Sequence, residues 1–130
     1  MEANATRLKR IAAKQTLSLT HYGRKSGKPY QVTIWFAVDG EKIYLSTANV
    51  ERQWVQNVRK TSDVRLSIGG ETFDGQARFL TDPAERNHAM AMVRRKYWMY
   101  APLIAVWQLL RRARLVRDTT GAFEVTLVKA

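Results

Sequence analysis

The stretch Thr16-Leu-Ser-Leu-Thr-His-Tyr-Gly23-Arg-Lys-Ser-Gly-Lys-Pro29-Tyr30-Gln-Val-Thr-Ile-Trp-Phe-Ala-Val38-Asp39-Gly40 decides the fold. Its first part alternates, with Leu17 and Leu19 on one side, and stops at Gly23, which reads as a strand over 16–22. Gly23 to Pro29 is a polar turn whose two glycines can take positive φ. Tyr30 to Val38 is rich in β-branched and aromatic residues, namely Val32, Thr33, Ile34, Trp35, Phe36 and Val38. Such a run predicts one strand, buried for most of its length. Asp39-Gly40 is a hairpin signal, so Lys42 to Thr47 returns as the antiparallel partner.

Working outward, residues 1–15 read as a basic amphipathic helix, with Leu8, Ile11 and Ala12 on one face and Arg7, Lys9, Arg10 and Lys14 on the rest. Val50, Trp54, Val55 and Val58 fall at helical spacing and predict a short helix ending near Lys60. Val64, Leu66 and Ile68 alternate with Arg65 and Ser67, Gly69-Gly70 turns the chain, and Glu71 to Leu80 continues as a long strand. Thr81 or Asp82 caps a helix that starts near Pro83. Pro102 opens a second one ending among Arg111 to Arg117, and 121–128 closes as a last strand. The expectation is one domain over 1–130: barrel strands with one short helix in 16–80, a helical segment in 81–117, then the final strand. Tight turns join most strands, so they pair antiparallel, and six of them remove their edges by closing into a small β-barrel with helices outside. A doubly wound parallel sheet is excluded, because too few connections carry a helix.

The 130 residues contain no Cys and two His, His21 and His88, which excludes disulfides, thiolate metal sites and a cysteine nucleophile. No metal site is expected. Twenty-two Lys and Arg against eleven Asp and Glu leave a net charge of +11, an excess that attracts polyanions without choosing among them. Met1 to Gln15 lacks the apolar core of a signal peptide. The uncharged run Tyr97 to Leu110 is shorter than the roughly 20 residues a spanning helix needs. A cytoplasmic protein is expected. Tyr97 to Trp107 is dense in aromatic and Met side chains between Arg94–Lys96 and Arg111–Arg117, which suits either a helix packed on the barrel or peripheral contact at the inner membrane surface.

Two constellations can carry chemistry. The loop Gly23-Arg24-Lys25-Ser26-Gly27-Lys28-Pro29 offers three cations, a hydroxyl and glycine-freed backbone N–H groups, the parts of an anion nest, or simply of a charged hairpin turn. The spacing is not that of a P-loop, and a strand rather than a helix follows. Ser46-Thr47-Ala48-Asn49, small and polar at a strand end before a helix, can receive a phosphate or serve as an ordinary helix cap by Thr47 or Asn49. His21, beside the loop with no second ligand, gives no metal signal, and His88 falls on a polar helix face. No carboxylate pair suggests hydrolysis, and no Ser lies in a GxSxG elbow.

Taken together, Leu19-Thr20, the Gly23–Pro29 loop, Ile34-Trp35-Phe36, Asp39-Gly40, the helix Trp54-Val55-Gln56-Asn57-Val58-Arg59 and Asp63-Val64-Arg65-Leu66 resemble the deazaflavin-dependent nitroreductase family. That family is a branch of the split-barrel FMN-binding proteins that includes pyridoxamine-phosphate oxidase-like enzymes. The resemblance covers about residues 17–80. It implies a six-stranded antiparallel split β-barrel, mainly β with flanking helices, that binds coenzyme F420 and passes a hydride to a quinone, nitro compound or similar electron-poor acceptor. On the family's pattern Arg24, Lys25 and Ser26 meet the coenzyme's phosphate or tail, and Gln31, Val32, Thr33, Ile34 and Trp35 run along its ring system. Ser46, Thr47, Ala48 and Asn49 take the phosphate side, Trp54 and Asn57 close the pocket, and Tyr97 and Tyr100 fall at acceptor-contact, catalytic positions.

The chain departs from the pattern at Tyr30, where many members carry arginine, at Gln31-Val32-Thr33-Ile34, and at Ser46-Thr47-Ala48-Asn49, where the family often reads Ser-Lys-Gly-Gly. These departures keep FMN open as the alternative cofactor. A non-enzymatic basic module for membrane surfaces or ligands is the alternative from a different class. Nucleic acid is not expected, since no helix-turn-helix is present. A monomer or a homodimer is compatible with the resemblance.

Overall fold

The computed structural model describes residues 3–47, 49–97, 106, 109 and 120–128. In chain order the elements are α1 (Asn4–Ile11), β1 (Leu17–Tyr22), β2 (Pro29–Ile34), β3 (Phe36–Asp39), β4 (Lys42–Thr47), α2 (Gln53–Lys60), β5 (Asp63–Ile68), β6 (Glu71–Phe79), α3 (Pro83–Lys96) and β7 (Gly121–Leu127). The helix expected from Pro102 lies outside the described residues.

All seven strands form one sheet in the order β2-β1-β5-β6-β7-β4-β3, each neighbouring pair antiparallel. The two edge strands, β2 and β3, are consecutive in sequence and joined through Trp35 alone. In a flat sheet those edges would lie roughly 29 Å apart. One intervening residue spans only about 7 Å. The sheet therefore curls until its edges approach at Trp35, giving the antiparallel barrel that the patterning predicts, in the split form that the resemblance implies. The run 30–38 is not one strand, however. Residues up to Ile34 pair with β1 (Ile34 opposite Leu17), whereas Phe36 onward pairs with β4 (Phe36 opposite Leu45), so seven segments stand where six strands were expected.

Trp35 marks that break, and its indole lies flat on the Tyr97 ring, with centroids 4.2 Å apart and planes 8° apart. The Tyr97 hydroxyl, in turn, donates its one proton to the Gln15 carbonyl, lies 3.2 Å from the Phe36 carbonyl and accepts from the Phe36 N–H at 3.3 Å. Lys96, one residue earlier on α3, lays its ammonium over the Phe36 ring, 3.5 Å from the centroid. Among the described residues it is a buried polar atom without a hydrogen-bond partner.

Alternation sets the core. On β5, Val64, Leu66 and Ile68 point inward while Asp63, Arg65 and Ser67 are exposed. Leu17 and Leu19 of β1, Phe73 and Ala77 of β6, and Phe123 and Val125 of β7 join them in one cluster. Helix α1 adds Leu8 and Ile11, and α2 adds Trp54, Val55 and Val58, so both close onto the barrel interior. Helix α3, capped as expected by the Asp82 carboxylate accepting from the Glu85 N–H, covers Tyr44, Leu80 and Ala122 through Ala89. The basic face of α1 is in part a docking device. Arg7 and Arg10 both pair with Glu71, and Arg7 stacks over Phe73.

Candidate functional site

The loop between β1 and β2 folds back on α2 to form a cleft of about 710 Å³. Within the loop the Gly27 N–H donates to the Gly23 carbonyl and the Gly23 N–H to the Lys28 carbonyl, closing a tight turn. The two glycines serve different needs. Gly27 has a φ of 69°, the left-handed conformation expected of it, whereas at Gly23 a Cβ would lie 2.8 Å from Ser26 Oγ and 3.2 Å from the Tyr30 ring. At Gly23 the constraint is therefore one of space, set by Ser26 and the Tyr30 ring, rather than positive φ.

Arg24 swings from this turn onto α2. Its Nη1 donates to Asn57 Oδ1 at 3.0 Å and its Nη2 to Gln53 Oε1 at 2.9 Å, while Lys60 Nζ donates to the Arg24 carbonyl at 3.0 Å. Two neutral amides therefore hold a cation that no carboxylate pairs with among the described residues. The remaining guanidinium N–H groups are left for a ligand. Asn57, buried on α2, bonds through Nδ2 to His21 Nδ1 at 3.0 Å. His21 occupies an inward position of β1 and its ring stacks on Tyr30. Burial lowers the pKa of its imidazole, which favours the neutral ring.

The wall is completed by Lys25, Ser26, Gln31, Val32, Arg52 and Trp54. Trp54 is 5% exposed and braced from behind by Phe123, which fixes an apolar floor. Arg24, Lys25 and Arg52 supply positive charge at the wall, and no Asp or Glu lines it among the described residues. The first turn of α2 adds the positive end of a helix dipole. A flat apolar floor beside a one-signed cationic wall suits a planar ring system carrying phosphate or carboxylate groups.

Of the residues expected from sequence, Arg24, Lys25, Ser26, Gln31, Val32, Trp54 and Asn57 come together in this cleft. Thr33 is exposed, Ile34 packs against the core, and Trp35 faces Tyr97. Ser46 and Thr47 sit in β4 opposite Ala122 and Gly121. The Thr47 hydroxyl and the Asn49 backbone bond each other, and Asn49 Oδ1 accepts from the Glu51 N–H, so these groups shape a turn rather than cap α2. Ala48 and Tyr100 lie outside the described residues. Tyr97 is buried with its hydroxyl committed to backbone groups, away from the cleft lining. Sequence reasoning missed His21, Tyr30, Arg52 and Gln53. The available signal for His21 was a polar side chain at the third inward position of β1, after Leu17 and Leu19.

Comparison with known proteins is consistent with this geometry. Solved structures similar to the chain include a conserved hypothetical protein from Mycobacterium tuberculosis, with a TM-score of 0.72 at 18% identity over 98% of this chain and 81% of that one. An F420-H2 dependent reductase superposes with a TM-score of 0.65 at 21% identity, covering 85% of this chain and 92% of that chain. A structure described as a domain-swapped dimer gives 0.67 at 23% identity over 85% of this chain and 78% of that chain. At these identities the likeness establishes the fold alone. No curated protein matches. Residues 1–105, which carry the whole cleft, match the sequence profile of the F420H(2)-dependent quinone reductases, and the chain belongs to that family.

Proposed function

We propose that the protein is a reductase that passes a hydride from reduced coenzyme F420 to a quinone or a similar electron-poor acceptor, with the coenzyme seated in the cleft between the β1–β2 loop and α2. The observation that carries this reading is the cleft wall itself. Among the described residues it has three cations and no carboxylate beside the Trp54 and Val32 surfaces, in a chain of this family. When bound, the reduced coenzyme supplies the hydride, so the protein needs no metal, thiol or triad. What the chain contributes is placement. Arg24, held by Asn57 and Gln53, meets the phosphate, and Lys25, Arg52 and Ser26 meet the charged tail at the rim. Trp54, Val32 and Gln31 pack along the ring and exclude water from one face. Trp35, Tyr97, Ile34, Thr47 and Asn49 act at a distance by holding the strand break and the turn before α2.

Incubating the purified protein with F420H2 and a naphthoquinone, and following the return of the oxidised coenzyme's absorbance, tests the reading. Oxidation well above the uncatalysed rate is expected. In Lys25→Ala the KM for coenzyme should rise about three- to tenfold at low salt with kcat nearly unchanged, because a rim cation adds attraction that salt screens. Coenzyme that binds but is not oxidised by any electron-poor acceptor would contradict the reductase assignment.

A further inference from the structure

Asn57 fixes the protonation of its neighbour. A guanidinium only donates hydrogen bonds, so the Asn57 atom 3.0 Å from Arg24 Nη1 is Oδ1, and Nδ2 is the atom 3.0 Å from His21 Nδ1. An amide NH2 only donates as well. His21 Nδ1 is therefore the acceptor, and the neutral ring carries its proton on Nε2. The ring itself is held by β1 and by the Tyr30 face, at 5.9 Å between centroids. Among the described residues Lys96 Nζ is the one buried side-chain polar atom left without a partner. Nε2 of His21, which has no hydrogen-bond partner among the described residues, thus keeps access to the cleft that the ring lines.

We propose that His21 is a ligand-binding residue that presents a fixed Nε2–H donor to an acceptor oxygen of the coenzyme seated in the cleft, an assignment that rests on the functional reading above. The groups around it favour this form. Arg24, Lys25 and Arg52 share the cleft with it, Tyr30 stacks on it, and Lys60 reaches the Arg24 carbonyl. On the neighbouring strand β5, Arg65 pairs with Thr20, on the opposite face from His21, and bonds Asp74. Among the described residues no acid lines the cleft to draw a proton onto Nδ1. An oxygen acceptor of the ligand would be met by a donor already oriented, without reorganisation.

Nitrogen NMR of the 15N-labelled protein tests the first half without coenzyme, and the Nε2-protonated neutral tautomer is expected. On saturation with F420 the His21 Nε2 signal should move while Nδ1 stays put. Inorganic pyrophosphate as a second probe tells a phosphoryl oxygen, which would move the signal too, from a ring carbonyl, which only the coenzyme supplies. His21→Phe keeps the ring stack and should weaken coenzyme binding about tenfold. Asn57→Asp gives a sharper readout. A carboxylate only accepts, so Nδ1 must take the proton, and the neutral ring then loses its Nε2–H. Coenzyme affinity of this variant should fall about tenfold as pH rises through the imidazole titration, whereas the wild type, a donor in both forms, keeps its affinity over that range. An Nδ1-protonated wild-type ring, an Nε2 signal unmoved at saturation, or an Asn57→Asp variant with the pH profile of the wild type would overturn the proposal. A coenzyme that fails to bind at all, seen in its own absorbance, would overturn the functional reading and the ligand named here together.

Discussion

Arg24→Met is expected to weaken F420 binding by about 100-fold, and Asn57→Leu by about tenfold, with both variants folded. The two numbers separate charge from placement. Arg24 brings a cation that no acid pairs with among the described residues, held by the Asn57 and Gln53 amides. A hydrogen bond to a charged group contributes about 1.5–3 kcal/mol, and 2.7 kcal/mol is roughly 100-fold in affinity. Asn57→Leu removes no charge and keeps the apolar volume. It releases Arg24 from one of its two amide partners and His21 from its donor, so its loss reports the placement of both groups rather than a change of charge. Isothermal titration of the purified variants checks both. Asn57→Leu binding like the wild type would mean that the amide clamp plays no part in recognition.

The second large effect lies at the strand break. Lys96→Met is expected to stabilise the protein at pH 7 by about 1–2 kcal/mol and to flatten its stability at alkaline pH. Burial of the Lys96 ammonium lowers it from its ordinary 10.5 to about 8. In the unfolded chain the same group keeps its ordinary value. Between pH 8 and 10.5 the unfolded state therefore binds the extra proton, and stability rises with pH across that window. Below pH 8 both states are protonated, and the cost of burying the charge is present in full, at most about 3 kcal/mol. The contact with the Phe36 face offsets part of it. Urea midpoints for the wild type and Lys96→Met at pH 7 and pH 10 give the comparison. A variant less stable than the wild type at pH 7, or one with the same alkaline slope, would show that the ammonium is accommodated without cost.

The fold was legible wherever local pattern and global position agree. The alternation in 63–68, the Asp39-Gly40 hairpin and the Asp82-Pro83 cap each read the same way in the chain and in the barrel. The break at Trp35 was hidden because the residues on both sides favour strands. What divides them is tertiary, since β2 and β3 pair with different neighbours and Trp35 is held on Tyr97, 62 positions away in the chain. The cleft divides in the same way. The Gly23–Pro29 loop announces itself by composition, but Arg24 gains its orientation only when the barrel brings α2 beside β1. His21 is silent in sequence because a lone histidine in a strand has no spacing partner, and its partner Asn57 is 36 residues distant. Ser46 to Asn49 shows the converse. Small hydroxyl and amide side chains before a helix look alike whether they hold an anion or each other, and here Thr47 and Asn49 bond each other.

Whether the cationic cleft recognises a deazaflavin is decided by a paired titration of the purified protein with F420 and FMN, at low and at physiological salt. F420 is expected to bind in the micromolar range or tighter, to lose affinity as salt rises, and to outcompete FMN. FMN binding more tightly than F420, or F420 binding no better than millimolar at low salt, would contradict it.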